Sequence, residues 1–165
     1  MFKTKWIFLI YKIPREPSSK RVYIWRKLKK LGAAALQDAV FTLPFSEKNL
    51  EQFQWLAAEI NEINGEAAVW ECYPTTKSQE SALINKFNEI SNTEYSAIIQ
   101  SLEKIDSVTD IDEKERILRN AVTEYMETKY NDYFVADLGS KIEEIIAKER
   151  KLLNKRRYGK EENCE

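Results

Sequence analysis

The sequence predicts an α+β fold, in which a small antiparallel sheet with two helices is followed by a helical extension. Two observations favour it: the N-terminal part alternates short apolar runs with amphipathic stretches, and the rest shows helical periodicity alone. Glycine and proline occur four times each in 165 residues, which disfavours a β-sandwich and a disordered chain. The predicted domains are residues 1–75 for the sheet part, 76–157 for the helical extension and 158–165 for a flexible tail.

The first predicted element is a strand. The run Trp6–Ile13 combines aromatic and β-branched residues, a composition typical of a central strand buried on both faces. Pro14 and Pro17 end this strand. Ser18 or Ser19 is expected to cap a helix that continues to about residue 31.

The first helix is predicted to be amphipathic when its residues are placed at about 100° per step. Its apolar arc contains Val22, Ile24, Trp25, Leu28 and Leu31, and its opposite arc contains Lys20, Tyr23, Arg26, Lys27 and Lys30. Lys29 lies at the edge of the apolar arc. Arg21 falls inside it, and an unpaired buried guanidinium is costly. We therefore expect Arg21 to have an acidic or backbone partner, for which Asp38 is a candidate.

The next two strands are short and form a hairpin. Gly32 is expected to end the first helix. The arms Ala33–Gln37 and Ala39–Leu43 then pair across a turn near Asp38, and Pro44 ends the second arm.

A second helix and a fourth strand complete the sheet part. Ser46 is predicted to cap the helix, which ends near Asn64. Its apolar positions recur at steps of three and four residues: Leu50, Phe53, Leu56, Ile60 and Ile63. Ala67–Cys72 is the fourth strand. The order β-α-β-β-α-β with right-handed crossovers predicts a ferredoxin-like fold, with both helices on one face of the sheet.

The remaining chain predicts three helices. The first begins near Ser78 and has a heptad-like seam interrupted by Ser91, formed by Ile84, Phe87, Tyr95, Ile98, Leu102 and Ile105. Thr109 or Asp110 caps the second helix, Asn131 and Asp132 end it, and the third starts near residue 136. We expect the seam to be exposed and, together with apolar positions of the last helix, to favour a homodimer.

Charge is distributed unevenly along the chain. Residues 1–31 contain ten lysines and arginines and one acid, whereas residues 32–165 contain 16 basic and 26 acidic residues, although the net charge is -1. The cations predicted to contact an anionic partner are Arg15, Lys20, Arg21, Arg26, Lys27 and Lys30. The alternative is that this basic face is merely solvated, or paired with acidic helices of this chain or of a partner.

The sequence offers no catalytic or metal-binding constellation. Histidine is absent, and the two cysteines, Cys72 and Cys164, are far apart. We expect no enzymatic activity, cofactor or metal. The apolar run near the N-terminus is too short for a signal peptide or a membrane span, so we expect a cytoplasmic protein without a membrane partner.

Four tryptophans could provide stacking platforms for nucleic-acid bases: Trp6, Trp25, Trp55 and Trp70. Each lies in an element predicted to face the core, and packing is the commoner use of such large side chains. Trp55 lies off the apolar stripe of its helix and is the expected exception.

Several dispersed motifs resemble the N-terminal domain of the chromate resistance protein ChrB family. They are Tyr11-Lys-Ile-Pro14, Lys20-Arg21-Val22, Trp25-Arg-Lys-Leu28, Leu31-Gly32, Leu36-Gln37-Asp38, Val40, Leu43-Pro44, Phe53, Trp55-Leu56, Gly65-Glu66-Ala67, Leu83-Ile-Asn-Lys-Phe-Asn88 and Glu94-Tyr95. In that family the domain precedes a chromate-responsive domain, and the protein is a DNA-associated regulator of chromate efflux. The resemblance implies a regulatory protein of the chromate-resistance type, which could act with a separate chromate-responsive partner.

The strand–helix–hairpin part also resembles, more distantly, the middle domain of PaaX-type repressors and a small nuclease of CRISPR adaptation. That nuclease family has an acid at the end of the first strand, where it holds a metal ion at a dimer interface. Lys12 or Ile13 stands there in this sequence, and neither can ligate magnesium. The first hypothesis is therefore a regulatory protein that contacts nucleic acid through its basic helix. The alternatives are a homodimeric protein-interaction scaffold and a degenerate nuclease.

Overall fold

The structure is a computed structural model that describes residues 4–158. The described chain contains four strands and five helices. In chain order they are β1 Trp6–Lys12, α1 Ser18–Lys30, β2 Ala34–Gln37, β3 Val40–Pro44, α2 Glu47–Glu62, β4 Glu66–Cys72, α3 Lys77–Glu103, α4 Ile111–Asn131 and α5 Leu138–Tyr158, with a short 3-10 helix at Lys104–Ser107.

The four strands form one antiparallel sheet in the order β2-β3-β1-β4. Strand β1 is central, and its Ile7 lies opposite Leu43 of β3 and Glu71 of β4. This order with the β-α-β-β-α-β sequence confirms the predicted α+β fold with a ferredoxin-like sheet.

The core of the sheet part lies between one face of the sheet and the first two helices. It contains fully or almost fully buried Ile7, Leu9, Phe41 and Leu43 from the strands and Ile24, Leu28, Phe53, Leu56 and Ile60 from the helices. The apolar stripe of α2 is confirmed at Phe53, Leu56 and Ile60, whereas Leu50 and Ile63 are half-buried and Ile63 follows the last residue of the helix. Asn49 is buried instead and donates to the Pro44 carbonyl.

Strand β1 is buried on both faces only in its first half, which corrects the prediction for the whole run. Trp6 and Ile7 are fully buried, whereas Ile10 is 44% exposed and Lys12 is exposed. In a ferredoxin-like unit both crossover helices pack on the same face of the sheet. Side chains on the other face are therefore buried only where another part of the chain packs against them.

The ends of the first two helices differ in their caps. The Ser46 hydroxyl accepts a hydrogen bond from the Asn49 N–H at 3.1 Å, as predicted. The prediction for α1 is wrong, because Pro17 is its N-cap residue and Ser18 and Ser19 lie inside the first turn. Gly32 ends α1 with a φ of 67°, a conformation that costs glycine little.

The chain divides into two compact units, Met1–Lys86 and Phe87–Glu165, and the division falls within α3. The predicted domain limits at residues 75 and 157 remain predictions. In the second unit, residues from the last part of α3 pack with α4 and α5 into one apolar cluster, which includes Tyr95, Ile98, Leu118, Ile142 and Ile146.

The predicted exposed seam of α3 is wrong for most of its positions. Phe87, Ser91, Tyr95, Ile98, Leu102 and Ile105 are all buried. The positions from Tyr95 to Ile105 belong to the apolar cluster of the second unit, as do Ile142, Ile146 and Leu153 of the last helix. The seam therefore gives no argument for a homodimer, which remains a prediction.

The boundaries of the helical extension follow local chemistry. Asp110 caps α4 by accepting a hydrogen bond from the Glu113 N–H, and Asp132 follows its end, as predicted. Asp132 also accepts hydrogen bonds from the Ala136 N–H and the Tyr95 hydroxyl, each at 3.0 Å. Of the helices in the described part of the chain, none is both long and apolar enough to cross a membrane.

Candidate nucleic-acid interface

Helix α1 carries six lysines and arginines and no acid within its 13 residues. Arg21, Arg26, Lys29 and Lys30 are exposed, while Lys20 and Lys27 are half-buried. Arg15, just before the helix, is exposed as well. The predicted cations therefore lie on one element and its approach, and most of them reach solvent.

The rotation of α1 about its axis is set by two side chains. Ile24 and Leu28, one turn apart, are fully buried, so at about 100° per residue Arg26 lies close to the opposite side. Two members of the predicted apolar arc are consequently exposed, Val22 by 45% and Trp25 by 49%. The arc was predicted too wide, because a small sheet covers only a narrow stripe of the helix.

One of the predicted cations forms an ion pair with another residue of this chain. The Lys27 ammonium donates to both carboxylate oxygens of Glu59 on α2, at 2.5 and 2.7 Å. This hydrogen bond, with a further one to Tyr23, raises the pKa of Lys27. Lys27 therefore joins two helices, and its charge is largely compensated.

The prediction that Arg21 is buried and needs a partner such as Asp38 is wrong. Arg21 and Asp38 are both exposed, since Arg21 stands in the first turn of α1, where a long side chain reaches solvent. Its charge acts on Tyr11: burial raises the pKa of this phenol, and the Arg21 guanidinium partly opposes that rise.

Trp25 lies between two cations on the surface of α1. Arg21, Trp25 and Lys29 are spaced four residues apart and so form a row along the helix. The Lys29 ammonium lies 5.8 Å from the centroid of the Trp25 ring, within the range of a cation–π contact. Lys29 and Trp25 were not among the cations and contacts predicted for this surface, although their i, i+4 spacing was a usable signal.

The start of α1 adds to the positive potential. Its N-cap residue, Pro17, makes no side-chain hydrogen bond to this end, and the first turn has no acid. The N-terminal end of a helix carries a partial positive charge, which acidic residues usually compensate. Lys20 and Arg21 add two cations there, next to exposed Arg15, and exposed Glu16 before the helix opposes them.

The remaining tryptophans are outside this surface. Trp6 is fully buried, as predicted, and Trp55 is 60% exposed on α2, as expected for the exception. Trp70 is also 60% exposed, which corrects its assignment to the core. It pairs with Phe8 across the sheet, on the face opposite to the one that carries Ile7 and Leu9.

The end of β1 has no metal-binding carboxylates. Lys12 is the last residue of the strand, is exposed and pairs in register with Glu66. Within residues 4–158, no three His, Cys, Asp or Glu side chains are placed to hold a metal ion together. The described residues thus add no ligand set for a metal-dependent nuclease.

Comparison with known proteins gives a family for this chain. The family described as "Protein ChrB, N-terminal" matches residues 21–132, which is more than half of the sequence. The chain belongs to the ChrB N-terminal family. The match to this family includes Arg21, Arg26, Lys27 and Lys30, and it begins after Arg15 and Lys20.

One curated relative extends this finding. The chain is 27% identical over 119 residues to "Protein ChrB" of Cupriavidus metallidurans. The aligned region covers 72% of this chain and 36% of the relative, so the chain spans about a third of the length of that ChrB protein. No solved structure matches the sequence.

Proposed function

We propose that the chain is a cytoplasmic, non-enzymatic regulatory protein of chromate resistance that binds nucleic acid through the exposed cations of α1. Membership of the ChrB N-terminal family connects it with chromate resistance. The regulatory role is proposed from the resemblance to DNA-associated members of that family, and the binding surface from the geometry of α1.

The proposal is supported mainly by a difference among the cations of α1, of which one is paired within the chain and others are exposed. Lys27 is used to bind Glu59, whereas Arg21, Arg26 and Lys29 are exposed on a helix that has no acid of its own. A purely structural role explains cations in the last turn, where they compensate the helix dipole. It does not explain Arg21 in the first turn.

Guanidinium and ammonium groups on such a surface contact phosphate oxygens. These contacts give affinity without sequence preference. They weaken as the salt concentration rises, because binding releases counterions from the nucleic acid and this release is less favourable at high salt. Arg26 and Lys29 lie within about 60° of each other on the solvent side of α1, and Arg21 is exposed at the start of the helix. Duplex phosphates can therefore approach more than one cation. Base specificity would have to come from other elements or from a partner.

The experiment is a fluorescence anisotropy titration of the protein with labelled duplex and single-stranded DNA. If three phosphates are contacted, affinity should fall roughly 40-fold between about 50 and 200 mM salt. The variant Arg21→Glu/Arg26→Glu should lose most of the binding.

The matched control is Arg119→Glu/Lys141→Glu, which makes the same charge change at exposed residues of α4 and α5. This control should bind like the unaltered protein. Equal affinity of the α1 variant and the control would contradict the proposal. Absence of DNA binding together with concentration-dependent self-association would favour the protein-interaction scaffold instead.

The proposal leaves two partners to be tested. We expect a homo-oligomer, because two copies would present two basic helices to one nucleic acid. We also expect chromate to be detected by a separate chromate-responsive protein. Sedimentation velocity at several protein concentrations, with and without DNA, tests the first expectation directly.

A further inference from the structure

A cavity of about 490 Å³ lies in the first unit, on the sheet face opposite to Ile7 and Leu9. Its floor contains Trp6 and Phe8 of β1 and Cys72 at the end of β4, and its wall contains Ala82 and Leu83 of α3. None of the functions discussed above uses this cavity. Its volume falls in the range of roughly 300–1,000 Å³ that is typical of small-molecule sites.

The wall of the cavity is fixed by hydrogen bonds. The Gln79 side-chain oxygen accepts from the Thr75 N–H at 3.0 Å, the Thr75 hydroxyl at 2.7 Å and the Thr76 N–H at 3.3 Å. Glu80 accepts from the Thr4 N–H, which fastens the first turns of α3 to the start of β1. The cavity therefore has a preformed shape, which lowers the entropic cost of binding.

The lining combines apolar surface with a charge. Its apolar part includes the side chains of Trp6, Phe8, Leu36, Tyr73 and Leu83. The Gln79 oxygen is already used by the loop before α3. Among the described residues that line the cavity, Lys86 is the one basic residue, and none of the others is acidic.

The volume of the cavity and the presence of Lys86 in its lining together indicate the class of ligand. An aromatic or aliphatic ring system fits the apolar floor, and an anionic group can pair with the Lys86 ammonium. We propose that this cavity binds a small apolar carboxylate, with its hydrocarbon on Trp6 and Phe8 and its carboxylate at Lys86.

The test uses 2-naphthoate as the anionic probe and 2-naphthamide as its neutral analogue, both in calorimetric titrations of the full chain. The protein should bind 2-naphthoate about tenfold more tightly than the amide, the ratio that one charge-assisted hydrogen bond provides. Lys86→Met should remove this preference. Lys77→Met, a lysine of the same helix that does not line the cavity, should retain it.

The position of the probe is tested independently. Ala82→Phe should fill the cavity and abolish binding, with circular dichroism used to confirm the fold. In a Cys164→Ser background, 2-naphthoate should slow alkylation of Cys72, which lines the cavity. Undetectable binding, unchanged affinity in Ala82→Phe or unchanged alkylation would overturn the site. Equal affinity for the acid and the amide would overturn the anionic class of ligand.

This inference is separate from nucleic-acid binding. The variants at Lys86 and Ala82 leave α1 unaltered, and the variants at Arg21 and Arg26 leave the cavity unaltered. Failure of one proposal therefore does not change the result expected for the other.

Discussion

Both carboxylate oxygens of Glu59 accept hydrogen bonds from the ammonium of Lys27, so the basic helix α1 is joined to α2 by a bidentate contact. Lys27 also lies 4.8 Å from the centroid of the Tyr23 ring. The contact uses one cation of α1 for structure, and it divides the helix into an attached side and an exposed side. This division is the basis for the functional proposal.

A double-mutant cycle of Lys27→Met and Glu59→Gln should give a coupling energy of about 0.5 kcal/mol in urea unfolding. The value is small because both side chains are more than a third exposed, so solvent screens the pair. Lys27→Met should also weaken DNA binding less than Arg26→Met. A larger loss of DNA affinity in Lys27→Met would show that the pair opens to bind phosphate.

Gly65→Ala should destabilise the first unit by about 2 kcal/mol or more. A Cβ atom there would lie 2.6 Å from the Ile60 methyl carbon and 2.8 Å from the carbonyl oxygens of Ile60 and Lys12. Backbone oxygens cannot move away without disturbing α2 and β1. Thermal unfolding measures the effect.

Gly139→Ala is the control for that substitution. Its Cβ atom would meet the ring of Tyr95 at 3.3 Å, and alanine is favoured over glycine within a helix. The contact is tighter than an ordinary van der Waals contact, so the buried Tyr95 ring has to shift by a few tenths of an ångström, and the melting temperature should fall less than in Gly65→Ala. A Gly65→Ala protein as stable as Gly139→Ala would contradict the close approach described for residue 65.

Trp25→Ala should reduce affinity for single-stranded DNA about fivefold or more, because a base stacked on an aromatic ring contributes roughly 1–3 kcal/mol. Trp25 is half-exposed and lies between Arg21 and Lys29. Trp55→Ala removes an equally large, exposed side chain from α2 and serves as the matched control. Similar losses in the two variants, measured by anisotropy, would argue against stacking on α1.

Glu143→Gln should make the stability of the second unit less sensitive to acid. Glu143 accepts hydrogen bonds from Lys129 and Tyr125, and these contacts lower the pKa of its carboxyl group, with Lys129 the main cause. The folded state therefore binds a proton less readily than the unfolded state. The stabilisation is present above the ordinary pKa of 4.5 and is lost as the pH falls through the lowered value.

Urea unfolding between about pH 6 and pH 3 measures this difference. The unaltered protein should lose more stability over that interval than Glu143→Gln. Glu144→Gln removes an exposed neighbour and should behave like the unaltered protein. Parallel pH profiles for the protein and Glu143→Gln would show that the contact contributes nothing to stability.

The sequence was sufficient to predict the order of strands and helices, because each element has its own period and a turn residue at its end. Gly32, Ser46 and Asp110 mark boundaries that the structure confirms. The N-terminus of α1 was misplaced, since Pro17 takes the cap position that the serines were expected to fill. Proline is also favoured at helix starts, so the sequence allowed both choices.

The candidate site was harder to predict from the sequence than the order of the elements. Periodicity identifies the side of a helix that is apolar, but it does not reveal how wide a stripe the rest of the protein covers. Trp25 and Val22 were therefore assigned to the core, although both are about half-exposed. The pairing of Lys27 with Glu59 joins residues that are 32 positions apart, and it depends on how two helices lie on the sheet.

The most direct test of the central claim is the salt dependence of DNA binding by the protein and by Arg26→Met. A plot of the logarithm of the association constant against that of the salt concentration should have a negative slope, reduced in magnitude by about 1 in Arg26→Met. The same slope for both proteins, or binding that does not respond to salt, would contradict phosphate contact by the exposed side of α1.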